Sequence, residues 1–274
     1  MAPPGAGARP PTMGRHFPDL RVDRGELPGA RWCVTTRFGG WSSGSFAESN
    51  LAEHVGDDMS AVAANRGAVV ELFPGITDVA FVQAEHGAQV HRVAAAGEIP
   101  TGDALVTDAS SLGLAALGAD CAVVGLSAQR SGGDCSIAVL HCGWKGLVAD
   151  VVGATVTQLR TAGATRITAV QGPAICGACY DVPVERCEAI VESVSATVAQ
   201  ATVMRRQRDV TESWGIDIGA GVQARLEELG VDVLERFGCT YEDPKWFSLR
   251  RAVKHEGPSA RTGRHALAMA MAPS

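Results

Sequence analysis

The sequence predicts a mixed α+β protein built as a layered sandwich, and three observations predict it. Short strand-like apolar runs outnumber helical ones along the 274 residues. The runs are joined both by tight polar loops, as in hairpins, and by helical crossovers. One stretch, 136–147, passes directly from strand through a polar turn into a helix. Its apolar run reads as a buried strand, and Gly143 and Gly146 permit a sharp turn where a side chain would clash. From Gly146 to Ala162, Val148, Val151, Val152 and Leu159 recur at helical spacing with Thr155 on the same face. His141 stands at the C-terminal end of that strand, where open α/β sheets commonly hold ligands.

Taken in order, residues 1–29 read as a disordered tail, rich in Ala, Pro, Gly and Arg, and residues 30–274 as one folded domain. Residues 32–37 are a strand of β formers, and 38–45 are a loop. A helix runs over 60–72 with Ser60 as its N-cap. Strands follow at 79–83, 89–93, 103–107 and 112–117, and His91 falls on an exposed strand face. The polar loop 129–134 joins the strands beside Cys121 and His141 as a hairpin, and that pairing brings the two residues towards each other. After a strand at 166–171 comes a helix over 184–198, with Glu185, Glu188 and Glu192 on its solvated face. An amphipathic helix over 217–229 is closed by Gly230. Cys239, Thr240 and residues 246–250 belong to a last sheet region.

Composition removes several function classes. A formal net charge of −6 leaves no basic excess to neutralise nucleic-acid phosphates. No apolar run approaches the length that spans a bilayer, and the tail lacks the apolar core of a secretory signal. The eight cysteines form no compact disulfide framework and read as reduced thiols of a cytoplasmic protein. There is no Walker phosphate loop, dinucleotide fingerprint or nucleophile elbow. The oligomeric state, monomer or homodimer, is not set by any feature of the sequence.

His141, Cys121 and His86 each adjoin a short strand-like run, and two imidazoles with a thiolate suit a borderline-soft ion such as zinc. Three protein ligands with a fourth position open describe a catalytic site. Taken singly, each has a plainer reading, since a buried Cys is usually a small hydrophobe. Asp120, next to Cys121, is a candidate to orient a ligating His or accept a proton, or else an ordinary turn residue. Arg250, Arg251 and Arg264 are candidate clamps for phosphate or nucleoside oxygens, against a plain surface role. Asn50 and Arg66 read locally as turn and helix-surface residues. Cys176 and Cys179 form a Cys-x-x-Cys, by type a metal-binding or a redox pair, with no second such pair to complete a structural zinc site.

A series of short motifs in order carries a family resemblance. It comprises Phe-Gly-Gly-Trp-Ser at 38–42, Ser49-Asn50-Leu51, Gly56-Asp57-Asp58, Asn65-Arg66, Glu85-His86-Gly87 and the Asp103 strand. It continues with Ala119-Asp120-Cys121, His-Cys-Gly-Trp-Lys-Gly at 141–146, Gly-Pro-Ala-Ile at 172–175, Cys239-Thr240, Phe-Ser-Leu-Arg-Arg at 247–251 and Thr262-Gly263-Arg264. From about Cys33 onward the chain thus resembles the YfiH family, also called the laccase-domain or multicopper polyphenol oxidoreductase family. The resemblance implies a four-layer α/β/β/α sandwich with mixed sheets and zinc held by His86, Cys121 and His141. It implies phosphorolysis of adenosine, inosine, guanosine and methylthioadenosine, with phosphate as co-substrate, and deamination of adenosine. It moves Asn50 towards substrate contact. By charge and position, Glu85 and Asp120 become candidate proton carriers, and Lys145 a phosphate partner beside the Arg residues. The chain departs from the usual pattern at Ala84-Glu85, at Gly118, at Lys145 in place of Arg, and at Leu249 in place of Tyr. Lys keeps the charge but loses the planar fork of Arg. Two further readings follow from the family's names and associations. One is copper-dependent phenol oxidation, which seven scattered His residues support poorly. The other is a cysteine-hydrolase-like role of Cys121 with His141 in editing cell-wall precursors.

Overall fold

The structure, a computed structural model, describes residues 17–208 and 211–273. Its strands are β1 (Val22–Leu27), β2 (Ala30–Thr35), β3 (Asp78–Phe81), β4 (Val90–Arg92), β5 (Ala104–Thr107), β6 (Leu112–Gly118), β7 (Ala122–Arg130), β8 (Cys135–Cys142), β9 (Ala164–Gln171), β10 (Asp181–Val182), β11 (Val203–Arg208), β12 (Thr211–Ile216), β13 (Asp232–Arg236) and β14 (His265–Met271). Its helices are α1 (Met59–Glu71), α2 (Trp144–Val148), α3 (Val151–Thr161), α4 (Val184–Ser193), α5 (Ala196–Thr202), α6 (Ile218–Glu228) and α7 (Leu249–Glu256).

Two mixed sheets stack face to face. One has the order β1-β2-β14-β6-β3 and the other β13-β9-β7-β8-β5-β4, while β10-β12-β11 form a small third sheet. Side-chain alternation explains the stacking, because successive residues of a strand face opposite ways. In β8, Ile137 and Val139 pack between the sheets against Leu114, Leu267 and Met269. Ala138, Leu140 and Cys142 of the same strand face the helical layer of Val151, Val156, Leu159 and Val222. On the far side, Ala68 and Val69 of α1 cover Phe81, Ala115 and Ala268. The resulting order, helix, sheet, sheet, helix, is the predicted four-layer sandwich. Each large apolar side chain buried in these layers contributes about 1.5–3 kcal/mol. The sheets touch closely at Gly125, where an added Cβ would lie 2.4 Å from Met269 Sδ.

The hairpin of β7 and β8 forms as predicted, with Val123 opposite His141 and Ala122 opposite Cys142. Several expectations are corrected. Folded structure begins before Ala30: β1 pairs antiparallel with β2 along its whole length, and Leu20 is buried. Residues 1–16 of the expected tail lie outside the described residues. The cap of α1 is Asp58, whose carboxylate accepts the Ser60 N–H at 2.8 Å.

The helix expected over 146–162 is two helices. Asp150 takes a left-handed conformation, φ 59°, caps α3 through Gly153 N–H, and pairs with Arg225 of α6 at 2.7–2.9 Å. The helix expected over 184–198 is likewise split, with Ser195 capping the second piece. Residues 249–256 are helix rather than sheet, because Ser248 caps the Arg251 N–H ahead of good helix formers. No strand is predicted over 265–271, yet β14 lies at the centre of its sheet, between β2 and β6.

His265, the first residue of β14, is fully buried beside the Trp246 ring, and neither ring nitrogen makes a hydrogen bond of normal geometry. Burial, reinforced by the neighbouring Arg264 charge and offset only in part by the Pro173 backbone, pushes its pKa down to about 3. The unfolded chain therefore binds a proton below about pH 6.5 that the folded chain refuses, so this residue costs stability as pH falls. The cost at pH 5.5 relative to 7.5 is about 1.4 kcal/mol. Urea unfolding of His265→Leu at the two pH values is expected to show that much less acid destabilisation than the parent; equal acid sensitivity would show that His265 is not the source.

Candidate metal centre and the cavities beside it

The centre is built on the face of β7 and β8 that looks between the sheets. Cys121 immediately precedes β7 and His141 is the penultimate residue of β8. Because Val123 pairs with His141, Cys121 stands diagonally from His141 on the same face. His86 arrives from the loop after β3. Its ring lies edge-on to that of His141, with centroids 4.8 Å apart, and its Nε2 is 4.0 Å from Cys121 Sγ. One donor atom from each of the three lies within 4.8 Å of the others.

Asp103 organises this cluster. It is fully buried, and its carboxylate accepts His141 Nδ1 at 2.9 Å and the backbone N–H groups of His86 at 3.0 Å and Gly87 at 2.7 Å. The Glu85 N–H adds a longer contact of 3.3 Å. To wrap consecutive amides round one carboxylate, the chain turns left-handed at His86, φ 66°, a conformation His tolerates better than most residues. Burial alone would raise the Asp103 pKa, but the hydrogen bonds from His141 and from the Gly87 and His86 amides hold it below the usual carboxylate range. With Nδ1 committed to Asp103, His141 presents Nε2 to the cluster. The orienting residue is thus Asp103 and not Asp120, for which that role was one expectation.

Electrostatics prepare the donors. Burial opposes ionisation of the Cys121 thiol, but the two imidazoles outweigh it and bring its pKa down to about 6. Burial likewise opposes protonation of His141, but the Cys121 thiolate and Asp103 raise its pKa to about 9. The thiolate is the form that ligates metal. Gly143 is required beside it, since a Cβ there would stand 3.0 Å from Cys121 Sγ and 3.1 Å from the His86 ring. Two imidazoles and one thiolate on this footprint fit a single four-coordinate ion with one position open. They do not fit a copper cluster, which needs several more imidazoles; among the described residues only His86 and His141 join this group.

Two cavities meet at the centre, and His86 and Cys121 line both. The first, about 460 Å³, is walled by Trp144, Ile175, Tyr180, Leu249 and Val253, with Asp120 and Arg250. The second, about 590 Å³, is lined by His141, His54, Glu53, Arg66, Thr101 and Arg264. Asp120, φ 113°, accepts the Arg250 N–H and the Thr240 hydroxyl, each at 2.7 Å. Its burial nevertheless raises its pKa. Arg250 stacks over Tyr180 at 4.8 Å. Arg66 bonds the Leu51 carbonyl and Glu53. Arg264 spends Nη1 on the Thr262 and Gly263 carbonyls.

The other sequence candidates are held away from the cavity walls. Asn50 is fully buried and joins Ala52, Asp57 and the Arg264 N–H. Arg251 donates to the carbonyls of Thr240, Tyr241 and Trp246. Lys145 is exposed, with its ammonium 5.9 Å from the Trp144 ring centroid. Glu85 is exposed, and its backbone N–H is what reaches the site. Sequence reasoning missed Asp103 as a partner of His141. The available signal was a carboxylate opening a short, mostly apolar strand.

A family model described as multi-copper polyphenol oxidoreductase laccase matches residues 31–272. The chain belongs to this laccase-domain, or YfiH, family. Purine nucleoside phosphorylases of Streptomyces coelicolor and Corynebacterium glutamicum are similar to it. The first is 40% identical over 238 residues, 83% of this chain and 93% of the relative. The second is 36% identical over 239 residues, 84% and 91%. Among solved structures, a Neisseria meningitidis protein superposes with a TM-score of 0.77 at 28% identity, covering 92% of this chain and 99% of that one. The Bacillus licheniformis hypothetical protein YfiH gives 0.76 at 25%, covering 89% and 93%. Membership accounts for the four-layer fold and for a metal-capable centre at the sheet ends. No helix among the described residues is long and apolar enough to cross a membrane.

Two outcomes are expected. Asp103→Asn keeps the shape but not the charge behind His141, and should weaken metal binding about 10–100-fold, read by competition with a chromophoric chelator. In metal-stripped protein, alkylation of Cys121, followed by peptide mapping, should titrate near pH 6, and His141→Gln should move that titration up towards an ordinary thiol. An unchanged midpoint would refute the pairing of thiolate with imidazolium.

Proposed function

We propose that the protein is a zinc-dependent purine nucleoside phosphorylase. It would convert adenosine, inosine, guanosine or methylthioadenosine with phosphate to the free base and ribose (or methylthioribose) 1-phosphate. The observation that carries this reading is the position of the His86, Cys121 and His141 donors between an aromatic-walled cavity and an arginine-lined one. The names of relatives up to 40% identical support it. Zinc held by the three donors would supply Lewis acidity at the junction of the two cavities.

The chain's own residues divide the remaining work. Trp144 and Tyr180 offer aromatic surface to a purine ring. Arg66 and Arg264 offer guanidinium groups to phosphate, and Arg264 uses only Nη1 in hydrogen bonds among the described residues. Burial disfavours its charge, and the neighbouring Cys121 and Asp120 offset that only in part, so a further anion beside it is favoured. Phosphorolysis joins a phosphate oxygen to the ribose anomeric carbon as the bond to the purine nitrogen breaks. The departing base needs a proton. Asp120, a carboxylate lining the aromatic cavity with a raised pKa, is placed to hold one. Deamination of adenosine is a second reading, favoured by the open position of a three-donor zinc site.

Purified protein incubated with adenosine should release adenine only when phosphate is present. Inosine formed without phosphate would report deamination. Both products should vanish in His141→Ala. Zinc-loaded protein that forms neither product would overturn the purine reading while leaving the metal centre standing.

A further inference from the structure

A second group of donors lies apart from the His86 centre. Cys176, Cys179, Cys239 and Glu242 each point one donor atom into a common space, with all four atoms within 4.8 Å of one another. Glu242 Oε1 is 3.8 Å from Cys176 Sγ and 3.5 Å from Cys179 Sγ. All three thiols are free. Glu242 forms no ion pair among the described residues, and its Oε1 faces the Cys176 and Cys179 thiols.

We propose that these four residues bind a structural zinc ion. The sequence has one Cys-x-x-Cys and no second, but residues 239–242 repeat the spacing as Cys-x-x-Glu, with a carboxylate in the fourth place. Each pair sits on a tight turn. Cys179 N–H and Tyr180 N–H donate to the Cys176 carbonyl at 3.0 and 3.1 Å, and Asp243 N–H donates to the Cys239 carbonyl at 3.2 Å. The turns are already joined: Ala174 bridges Cys239 in parallel, and Thr240 N–H reaches the Ala174 carbonyl at 3.2 Å. Cys176 N–H points at Cys239 Sγ, 3.3 Å away, the kind of outer hydrogen bond that steadies a ligating thiolate.

The dimensions select one ion. Zinc–sulfur bonds of about 2.3 Å in a tetrahedron set the thiolates roughly 3.8 Å apart, within the span of this cluster. Four protein donors leave no open position, which describes a structural site and not a catalytic one. Its consequence reaches the first cavity. Ile175 and Tyr180, which wall that cavity, flank the Cys176–Cys179 turn, and Thr240, next to Cys239, bonds Asp120. The ion would fasten this wall to the turn that bears Thr240.

The test reads metal content and not turnover, so it stands or falls apart from the phosphorylase reading. Protein equilibrated with zinc and desalted should hold about two zinc per chain by mass spectrometry. Cys176→Ser/Cys179→Ser should hold about one, His86→Ala/His141→Ala about one, and the combination almost none. Cobalt substitution of the His86→Ala/His141→Ala protein should give the intense near-ultraviolet charge-transfer band of a thiolate-rich site. Glu242→Gln, a milder change that guards against misfolding, should weaken this ion alone. The proposal is overturned if the two Cys→Ser changes leave zinc content at the parent value. A Cys176–Cys179 disulfide in protein purified under reducing conditions would overturn it equally.

Discussion

A single buried carboxylate governs the geometry of this protein's centre. Asp103 is fully buried, so its charge survives only because backbone amides of the loop after β3 and the His141 ring surround it. Each of those partners is fixed in return. The loop is bent left-handed at His86, the His141 ring is turned to present its outer nitrogen, and the ends of β5 and β8 are tied, with His141 N–H also reaching the Asp103 carbonyl. Removing the whole carboxylate would leave buried donors without acceptors, a larger loss than any single hydrogen bond.

The layered architecture delivers these groups to one place. The inner faces of the two sheets are apolar along most of their length, and polar groups appear where the strands run out. Cys121 and His141 continue the inward parity of Val123 and Val139 just past that apolar zone. The donors therefore combine a rigid, dry footing with access to open space on both sides. The attraction between thiolate and imidazolium, working against that dry footing, lowers the pKa of the thiol and raises that of the imidazole.

Much of this was legible in the sequence, and the omissions have physical causes. The β7–β8 hairpin and the union of Cys121 with His141 could be read from apolar alternation broken by one polar loop. The donor set could be read only through the ordered motifs, because its members lie far apart along the chain. Asp103 was hidden because a strand pattern says where a side chain faces and not which partner meets it. The breaks at Asp150 and Ser195 were missed because each capping side chain stands inside an otherwise continuous helical rhythm. β14 was missed because its Ala, Leu and Met residues favour helix, and only a slot between two strands makes them extended. Arg251 was a candidate clamp by its fork of donors and Asn50 a candidate contact only through the resemblance, but their hydrogen bonds are spent on the chain itself.

The place of β14 has a consequence for how the chain acquires its fold. Thirteen strands precede it among the described residues, yet it is the middle member of its sheet. Until it arrives, β2 and β6 have no neighbour between them, and each offers an open row of amides and carbonyls backed by apolar side chains. Such rows invite pairing with other chains. Closure of the sheet is therefore a late, long-range event of the kind that slows folding. A nascent chain halted before residue 265 would expose a sticky cleft in the same sheet that later backs the metal centre.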